Sequence, residues 1–289
     1  TELWPNLLAA GQCRQVPIFL ANARLSARSA RGYARFSALA GPAFAALSGV
    51  AAQTSGDAER LAGLGASPVE VCGNLKFDVT PSAEKIDLGH QWRQAIGSRP
   101  VWLAASTREG EESLVLDAWR QVAIADALLV LAPRHPQRFT EVAGLLQQQG
   151  VKSVQRSAGL PTADTQVWLG DSMGEMAAYF ALADLAFIGG SLLPLGGQNL
   201  IEAAACDCPV LVGPHTFNFK QATEDAIAAG AALRVDSPEM LGLTVSRLLV
   251  GKAELSAMRV AAGLFARAHQ GAAERMLALI ARWTGPAAR

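Results

Sequence analysis

Four short stretches of this chain of 289 residues combine side chains that can hold phosphate, sugar hydroxyls or carboxylates. The richest is 187–202, Phe-Ile-Gly-Gly-Ser-Leu-Leu-Pro-Leu-Gly-Gly-Gln-Asn-Leu-Ile-Glu. Its glycines allow positive φ and close backbone approach to a ligand. Asn199 and Glu202, three apart, share one face of a first helical turn. A carboxylate there can accept hydrogen bonds from a ribose diol, and a helix start favours phosphate. The same letters also fit an ordinary strand–loop–helix corner, with Asn199 as N-cap and Glu202 as its capping-box partner. The second stretch is Pro133, Arg134 and His135; the third is Asp171-Ser-Met-Gly-Glu175; the fourth is Ser106, Thr107 and Arg108. His135 fits a hydrogen-bonded loop residue as well as a ligand contact, and Asp171 fits an N-cap as well as an acid.

A fifth group lies near the start. Arg24, Arg28, Arg31 and Arg35 are spaced 4, 3 and 4, which on a helix places four guanidinium groups along one face. No acidic residue stands between Glu2 and Asp57, and Arg14 adds a further positive charge. Such a pole is either a solvated face or a dock for anionic lipid, where each basic group contributes on the order of 1 kcal/mol.

These groups need elements to position them. Short apolar runs bounded by turn residues predict strands at 16–20, 48–54 and 68–72, then at 100–105, 127–132, 151–154, 166–169, 183–188, 208–212 and 231–235. Helical segments fall between them, which is the βαβ grammar of parallel sheets. The four chemistry-bearing stretches each follow a predicted strand. In one parallel sheet their carboxyl ends share a rim, where open α/β sheets bind ligands. Residues 80–99, with Pro81 and mixed charge, read as a linker and interdomain helix. The domains are expected at 1–82 and 83–289.

Bulk properties exclude several classes. Lys plus Arg and Asp plus Glu both count 25, so net charge is zero and nothing global points to nucleic acid. Cysteines 13, 72, 206 and 208 form no metal-type CxxC pair and read as reduced, buried thiols. There is no visible signal peptide. The uncharged run 36–56 is broken by Ser, Gly, Pro, Gln and Thr and does not read as a membrane span.

Six segments together carry a resemblance: 1–6 (Thr-Glu-Leu-Trp-Pro-Asn), 21–26 (Ala-Asn-Ala-Arg-Leu-Ser), 73–78 (Gly-Asn-Leu-Lys-Phe-Asp), 132–135 (Ala-Pro-Arg-His), 170–175 (Gly-Asp-Ser-Met-Gly-Glu) and 197–202 (Gly-Gln-Asn-Leu-Ile-Glu). In order and spacing they resemble the Kdo transferases, which transfer 3-deoxy-D-manno-octulosonic acid in lipopolysaccharide biosynthesis. The resemblance implies a GT-B glycosyltransferase of class α/β, with two Rossmann-like doubly wound domains, the first incomplete here. The first domain would be the remaining part of an acceptor domain and the second would bind the donor. The donor would be CMP-Kdo, the acceptor a lipid A precursor, and the setting the cytoplasmic face of the bacterial inner membrane. Transfer would be inverting and independent of metal, with no cofactor.

By the same resemblance Pro133 and Arg134 contact CMP, as do Met173, Gly174 and Glu175, and then Asn199, Leu200, Ile201 and Glu202. Glu2 and Lys76 match positions that stabilise the transition state; a cation beside a donor carboxylate or leaving phosphate offsets developing charge. Ser106 and Arg108 are further candidates for the donor phosphate or carboxylate, and His135 for a donor contact. The family's catalytic-base segment has no counterpart in these letters, so the chain is expected to be truncated and to bind donor better than it turns it over. Two alternatives stay open: another GT-B enzyme using a UDP-sugar, as transferase or epimerase, and a non-catalytic nucleotide-binding fragment.

Overall fold

The computed structural model describes residues 3–284. Glu2, one of the two expected transition-state stabilisers, lies outside the described residues. The chain forms two compact α/β units. One takes the chain up to Asp78 and again from His269; the other is Val79–Ala268.

In the first unit β1 (Phe19–Ala23), β2 (Gly49–Ala52) and β3 (Val69–Val71) form a parallel sheet in the order β1-β2-β3. Side chains alternate across it. Ala23, Val50 and Ala52 face Leu8, Phe44 and Leu61, carried by helices Pro5–Cys13, Ser37–Ala45 and Ser55–Gly63. Ala51 faces the other way and packs with Cys72 and with Ala272, Met276 and Leu279 of helix Ala272–Thr284. Trp283 of that helix stacks on Phe19, ring centroids 5.3 Å apart. A Cβ on Gly49 would lie 2.7 Å from the same indole. At the helix start the Asp78 carboxylate accepts N–H bonds from Gly271, Ala272 and Ala273, at 2.5, 3.1 and 2.5 Å. Those are N–H groups that a helix start leaves without intrahelical partners. The closing helix therefore belongs to the first unit, not to the second as its place in the chain suggested. The expected boundary at 82/83 moves to Asp78/Val79.

The second unit holds β4 (Val101–Thr107), β5 (Leu128–Pro133), β6 (Ser153–Gln155), β7 (Val167–Leu169), β8 (Leu185–Ile188), β9 (Val210–Val212) and β10 (Ala232–Arg234). They form one parallel sheet in the order β10-β9-β8-β4-β5-β7-β6. The central strands are buried on both faces, as parallel strands covered by helices must be. On one face Trp102, Leu129, Leu169 and Phe187 meet Val115, Val142 and Leu241 from helices Glu111–Arg120, Phe139–Gln148 and Pro238–Val250. On the other, Trp168 meets Trp92 and Tyr179, at 5.0 and 5.8 Å.

Trp92 sits on helix Ala83–Ile96, inside the segment expected to be a linker. A Cβ on Gly89 would stand 2.3 Å from the carbonyl of Ala178, so this helix and Met176–Leu182 touch backbone to backbone. Arg93 pairs with Asp184 at 3.1 Å. The segment is thus a packed layer of the second unit. Its surface charges, read as linker chemistry, hid a buried seam of one glycine and one tryptophan.

After β4 the chain builds β5, β6 and β7 to one side, then returns to lay β8, β9 and β10 on the other. The topological switch point lies between β4 and β8.

Candidate functional site

In the observed order the strands preceding the four chemistry-bearing stretches, β8, β4, β5 and β7, are immediate neighbours. Beyond their carboxyl ends lies a cavity of about 250 Å³. Ser106 reaches it from the end of β4 and Arg134 from the end of β5. Met176 and Phe180 come from the helix after β7; Gln198, Asn199 and Glu202 come from the segment after β8.

The backbone at this rim is specialised. Ser106 has φ 57, a left-handed conformation uncommon outside glycine. It sits where the register of β4 on β5 slips between Ala105 and Thr107, a bulge that re-aims the strand end. Gly189, at the end of β8, lies against that bulge so closely that a Cβ would be 2.6 Å from Ser106 O and Thr107 Cα. Residues 190–197 leave and return as a closed loop: Gly197 N–H donates to Gly190 O at 2.6 Å and Gln198 N–H to Gly189 O at 3.0 Å. Gly190, Gly196 and Gly197, at φ 69, 93 and 76, make the turns.

That closed loop delivers Asn199 and Glu202 to the cavity. Asn199 Oδ1 accepts the Ile201 N–H at 3.0 Å, and Asn199 Nδ2 donates to Glu202 Oε1 at 3.0 Å. The N-cap of the short helix Ile201–Ala205 is Leu200, so the expected capping box is not formed; Asn199 instead takes the first helical N–H and aims Glu202. Leu200 and Ile201 are each 1% exposed and pack in the core beneath, so neither lines the cavity. Pro133 closes β5 and is buried. The Arg134 N–H donates to Thr107 O at 2.9 Å, tying the ends of β5 and β4 together. Its guanidinium has no side-chain partner among the described residues. His135 is exposed, starts a 3-10 turn, and does not line the cavity.

Met173, Gly174 and Glu175 stand one step away. Met173 and Gly174 are exposed, with Gly174 at φ 75. Glu175 accepts from Arg156 at 3.1 Å and from Ser172 Oγ at 2.5 Å, and Ser172 meets Tyr179 Oη at 3.0 Å. Arg156 also lies over the Trp92 ring, 4.8 Å from its centroid. Burial pushes the Tyr179 hydroxyl well above its ordinary value, so it stays a neutral partner. Of this segment only the following Met176 reaches the cavity. Arg108 runs beside Gly190, its Cγ 3.6 Å from where a Cβ would be, outside the cavity lining.

Glu111 was not among the expected residues. It is 0% exposed, and its carboxylate accepts backbone N–H bonds from Arg108 at 3.0 Å, Ser191 at 2.9 Å, Leu192 at 3.0 Å, and Gly190. In the sequence it shows only as one of two acids suited to a helix start. Its partners 190–192 lie about 80 positions on. Glu112, 1% exposed, holds Arg138 at 3.1 Å and Thr107 Oγ1 at 3.3 Å; burial pushes its carboxyl above the ordinary range.

Lys76 belongs to the first unit, exposed on the 3-10 turn Leu75–Phe77 after β3. Asn74 Oδ1 accepts its N–H at 3.0 Å, and Asn22 Oδ1 accepts the Leu75 N–H at 3.3 Å. Gln53 Nε2 donates to Asn22 O at 2.9 Å, so the ends of β1, β2 and β3 are laced around this turn. Helix Ala27–Arg35 starts at Ser26, whose hydroxyl accepts the Ser29 N–H at 3.1 Å. None of its residues is buried; Arg28, Arg31 and Arg35 lie on it and are exposed, while Arg24, also exposed, stands before the cap, so three of the four arginines expected on one helix are on it. Among the described residues no group of three His, Cys, Asp or Glu side chains is placed to hold a metal ion.

Comparison with known proteins adds four findings. A family model described as 3-Deoxy-D-manno-octulosonic-acid transferase (kdotransferase) matches residues 1–79. The 3-deoxy-D-manno-octulosonic acid transferase of Bordetella pertussis is 46% identical over 291 residues, taking in 98% of this chain and 68% of that protein. Among solved structures, the C-terminal CMP-Kdo binding domain of WaaA from Acinetobacter baumannii matches with TM-score 0.60 at 30% identity, over 64% of this chain and 98% of that one. Anabaena HepE in complex with UDP and glucose matches with TM-score 0.55 at 14% identity, over 98% of this chain and 76% of that one. The last likeness is one of fold, and the expected GT-B class stands with it.

Proposed function

The chain belongs to the 3-deoxy-D-manno-octulosonic acid (Kdo) transferase family, and we propose that it takes Kdo from CMP-Kdo and passes it to a lipid A precursor, with inversion and without a metal. What carries this reading is the convergence of Ser106, Arg134, Asn199 and Glu202 on one cavity at the switch point of the second unit. A cytidylate has a phosphate and a ribose diol, and this cavity offers a partner for each. The Arg134 guanidinium, with no side-chain partner among the described residues, meets the phosphate through a charge-assisted hydrogen bond. Ser106 Oγ adds a neutral donor beside it. Glu202, aimed by Asn199, accepts from the ribose hydroxyls. Pro133 stiffens the end of β5 ahead of Arg134. Leu200 and Ile201 contribute by anchoring Asn199 and Glu202 from below. Met173, Gly174 and Glu175 border the nucleotide next to Met176, and Arg108 and His135 are assigned to the donor sugar's carboxylate side.

Glu2 and Lys76 are read as stabilisers of the charge that develops as the phosphate leaves. For Lys76 the support is a rigid turn that holds a cation at the carboxyl edge of the first sheet. Attack by the acceptor hydroxyl needs a general base, and no residue described here is assigned to it. The acceptor is a membrane lipid, and the arginines at 24, 28, 31 and 35 suit the anionic cytoplasmic face of the inner membrane. No helix among the described residues is long and apolar enough to cross a membrane, and the arginine segment is read as a surface contact with the bilayer.

Calorimetric titration with CMP and with UDP tests the donor assignment. CMP is expected to bind and UDP to bind more weakly; tight UDP binding without a CMP response rejects it.

A further inference from the structure

Three successive amides, Gly190, Ser191 and Leu192, point at one place after β8. A run of N–H groups on a glycine turn makes an anion-binding concavity. In an open α/β sheet such a turn at the switch point is where a ligand phosphate is expected. Here the concavity is filled from within. Glu111 Oε1 takes Ser191 and Leu192, at 2.9 and 3.0 Å, while Oε2 takes Gly190 and Arg108. A carboxylate offers about four acceptor positions, and four donors occupy them.

We propose that Glu111 is a positioning residue for the donor site: it acts as a built-in anion that closes the glycine turn and leaves the donor's phosphate to Arg134 and Ser106. The mechanical route is short. Gly190 and Gly189 carry the carbonyls that receive Gly197 and Gln198 and so close the loop. Gln198, Asn199 and Glu202 enter the cavity directly from that closure. Ser191 Oγ, on the same turn, accepts the Gly213 N–H at 2.8 Å, and its carbonyl accepts the His215 N–H at 3.0 Å. Fixing the turn therefore fixes the end of β9 as well. The inference deepens the donor-binding reading and rests on it.

The test uses the chain of 289 residues, with CMP as the probe. Glu111→Gln keeps the size but turns an N–H₂ toward N–H groups; Glu111→Ala empties the concavity. Both are expected to keep wild-type far-UV circular dichroism and to weaken CMP binding about tenfold or more, since buried N–H groups lose their acceptor. Formate at tens of millimolar is expected to restore CMP binding to the alanine variant, and chloride at equal ionic strength is not. A purely structural role would show no rescue selective for a carboxylate. CMP affinity within twofold of wild type in either variant, or a loss that formate does not relieve, overturns the proposal. Amide hydrogen exchange on the wild-type chain decides the matter even where a variant does not fold. Gly190, Ser191 and Leu192 are expected to be protected equally with and without CMP; protection that arises only with CMP places the phosphate on those amides and overturns it. A wild-type chain that does not bind CMP at all sinks the donor assignment instead, a separate result.

Discussion

Replacing Arg134 by alanine should separate recognition from folding. Its N–H bond to Thr107 O is made by the backbone and survives the change. Its side chain is exposed and has no partner among the described residues. Stability should therefore shift by no more than about 0.5 kcal/mol, the usual range for surface substitutions. Recognition should suffer more. A hydrogen bond to a charged group is worth about 1.5–3 kcal/mol net, and each 1.4 kcal/mol is about a tenfold change in affinity. The Kd for CMP should rise about 10- to 150-fold. Solvent screening at this open cavity argues for the lower half of that range. Lysine in its place should recover part of the loss, supplying charge without the planar fork. Calorimetry at low and high salt, beside urea denaturation of both proteins, reads the two effects separately. A change in CMP affinity below about threefold would refute the assignment of the phosphate to Arg134. So would a loss of stability large enough to account for weaker binding.

Two further predictions concern the first unit. Burial pushes the Asp57 carboxyl up, but hydrogen bonds from Thr54, the Leu25 N–H and Arg60, with the charge of Arg60, hold it below the ordinary carboxylate value. A lowered acid contributes stability above its unfolded value and loses it as pH falls through its folded value. Thermal melting should therefore show an acid limb below about pH 4 that is diminished in Asp57→Asn; an unchanged limb rejects this source. Reversing Arg28 and Arg31 to Glu should weaken cosedimentation with anionic vesicles in low salt by about 30-fold or more, at about 1 kcal/mol per basic group removed. Unchanged cosedimentation leaves that helix a solvated face.

Much of the second unit is legible because its strands are buried on both faces. The Leu-Leu-Val-Leu run of β5 has no other comfortable place, and the parallel grammar then gathers the strand ends at one edge. That rule sends Ser106, Arg134, Asn199 and Glu202 to this edge, where they line one cavity, but it sends Arg108, His135 and Glu175 there as well, and these stay outside the lining. Leu200 and Ile201 turn into the core instead, because letters adjacent to a cavity-lining residue carry no sign of which side turns inward. Glu111 escapes for a different reason: its donors are backbone amides far along the chain, and a backbone N–H has no letter. In the first unit the strand expected at 16–20 is observed at Phe19–Ala23. The apolar run Val16-Pro-Ile-Phe-Leu ends before the strand does, since the ladder continues past Asn22, left-handed at φ 51, where the register slips. Ser26, whose hydroxyl caps the next helix, shows the contrary case of a signal that is local in the sequence.

The tie between Asp78 and Gly271 spans 193 positions. At ribosomal rates of about 5–20 residues per second, that interval lasts roughly 10–40 s. For that time a nascent first sheet has Phe19, Gly49 and Ala51 ready but no helix to lay over them. The first unit is thus completed only after the second has been made, so removing helix Ala272–Thr284 would injure the sheet β1-β2-β3.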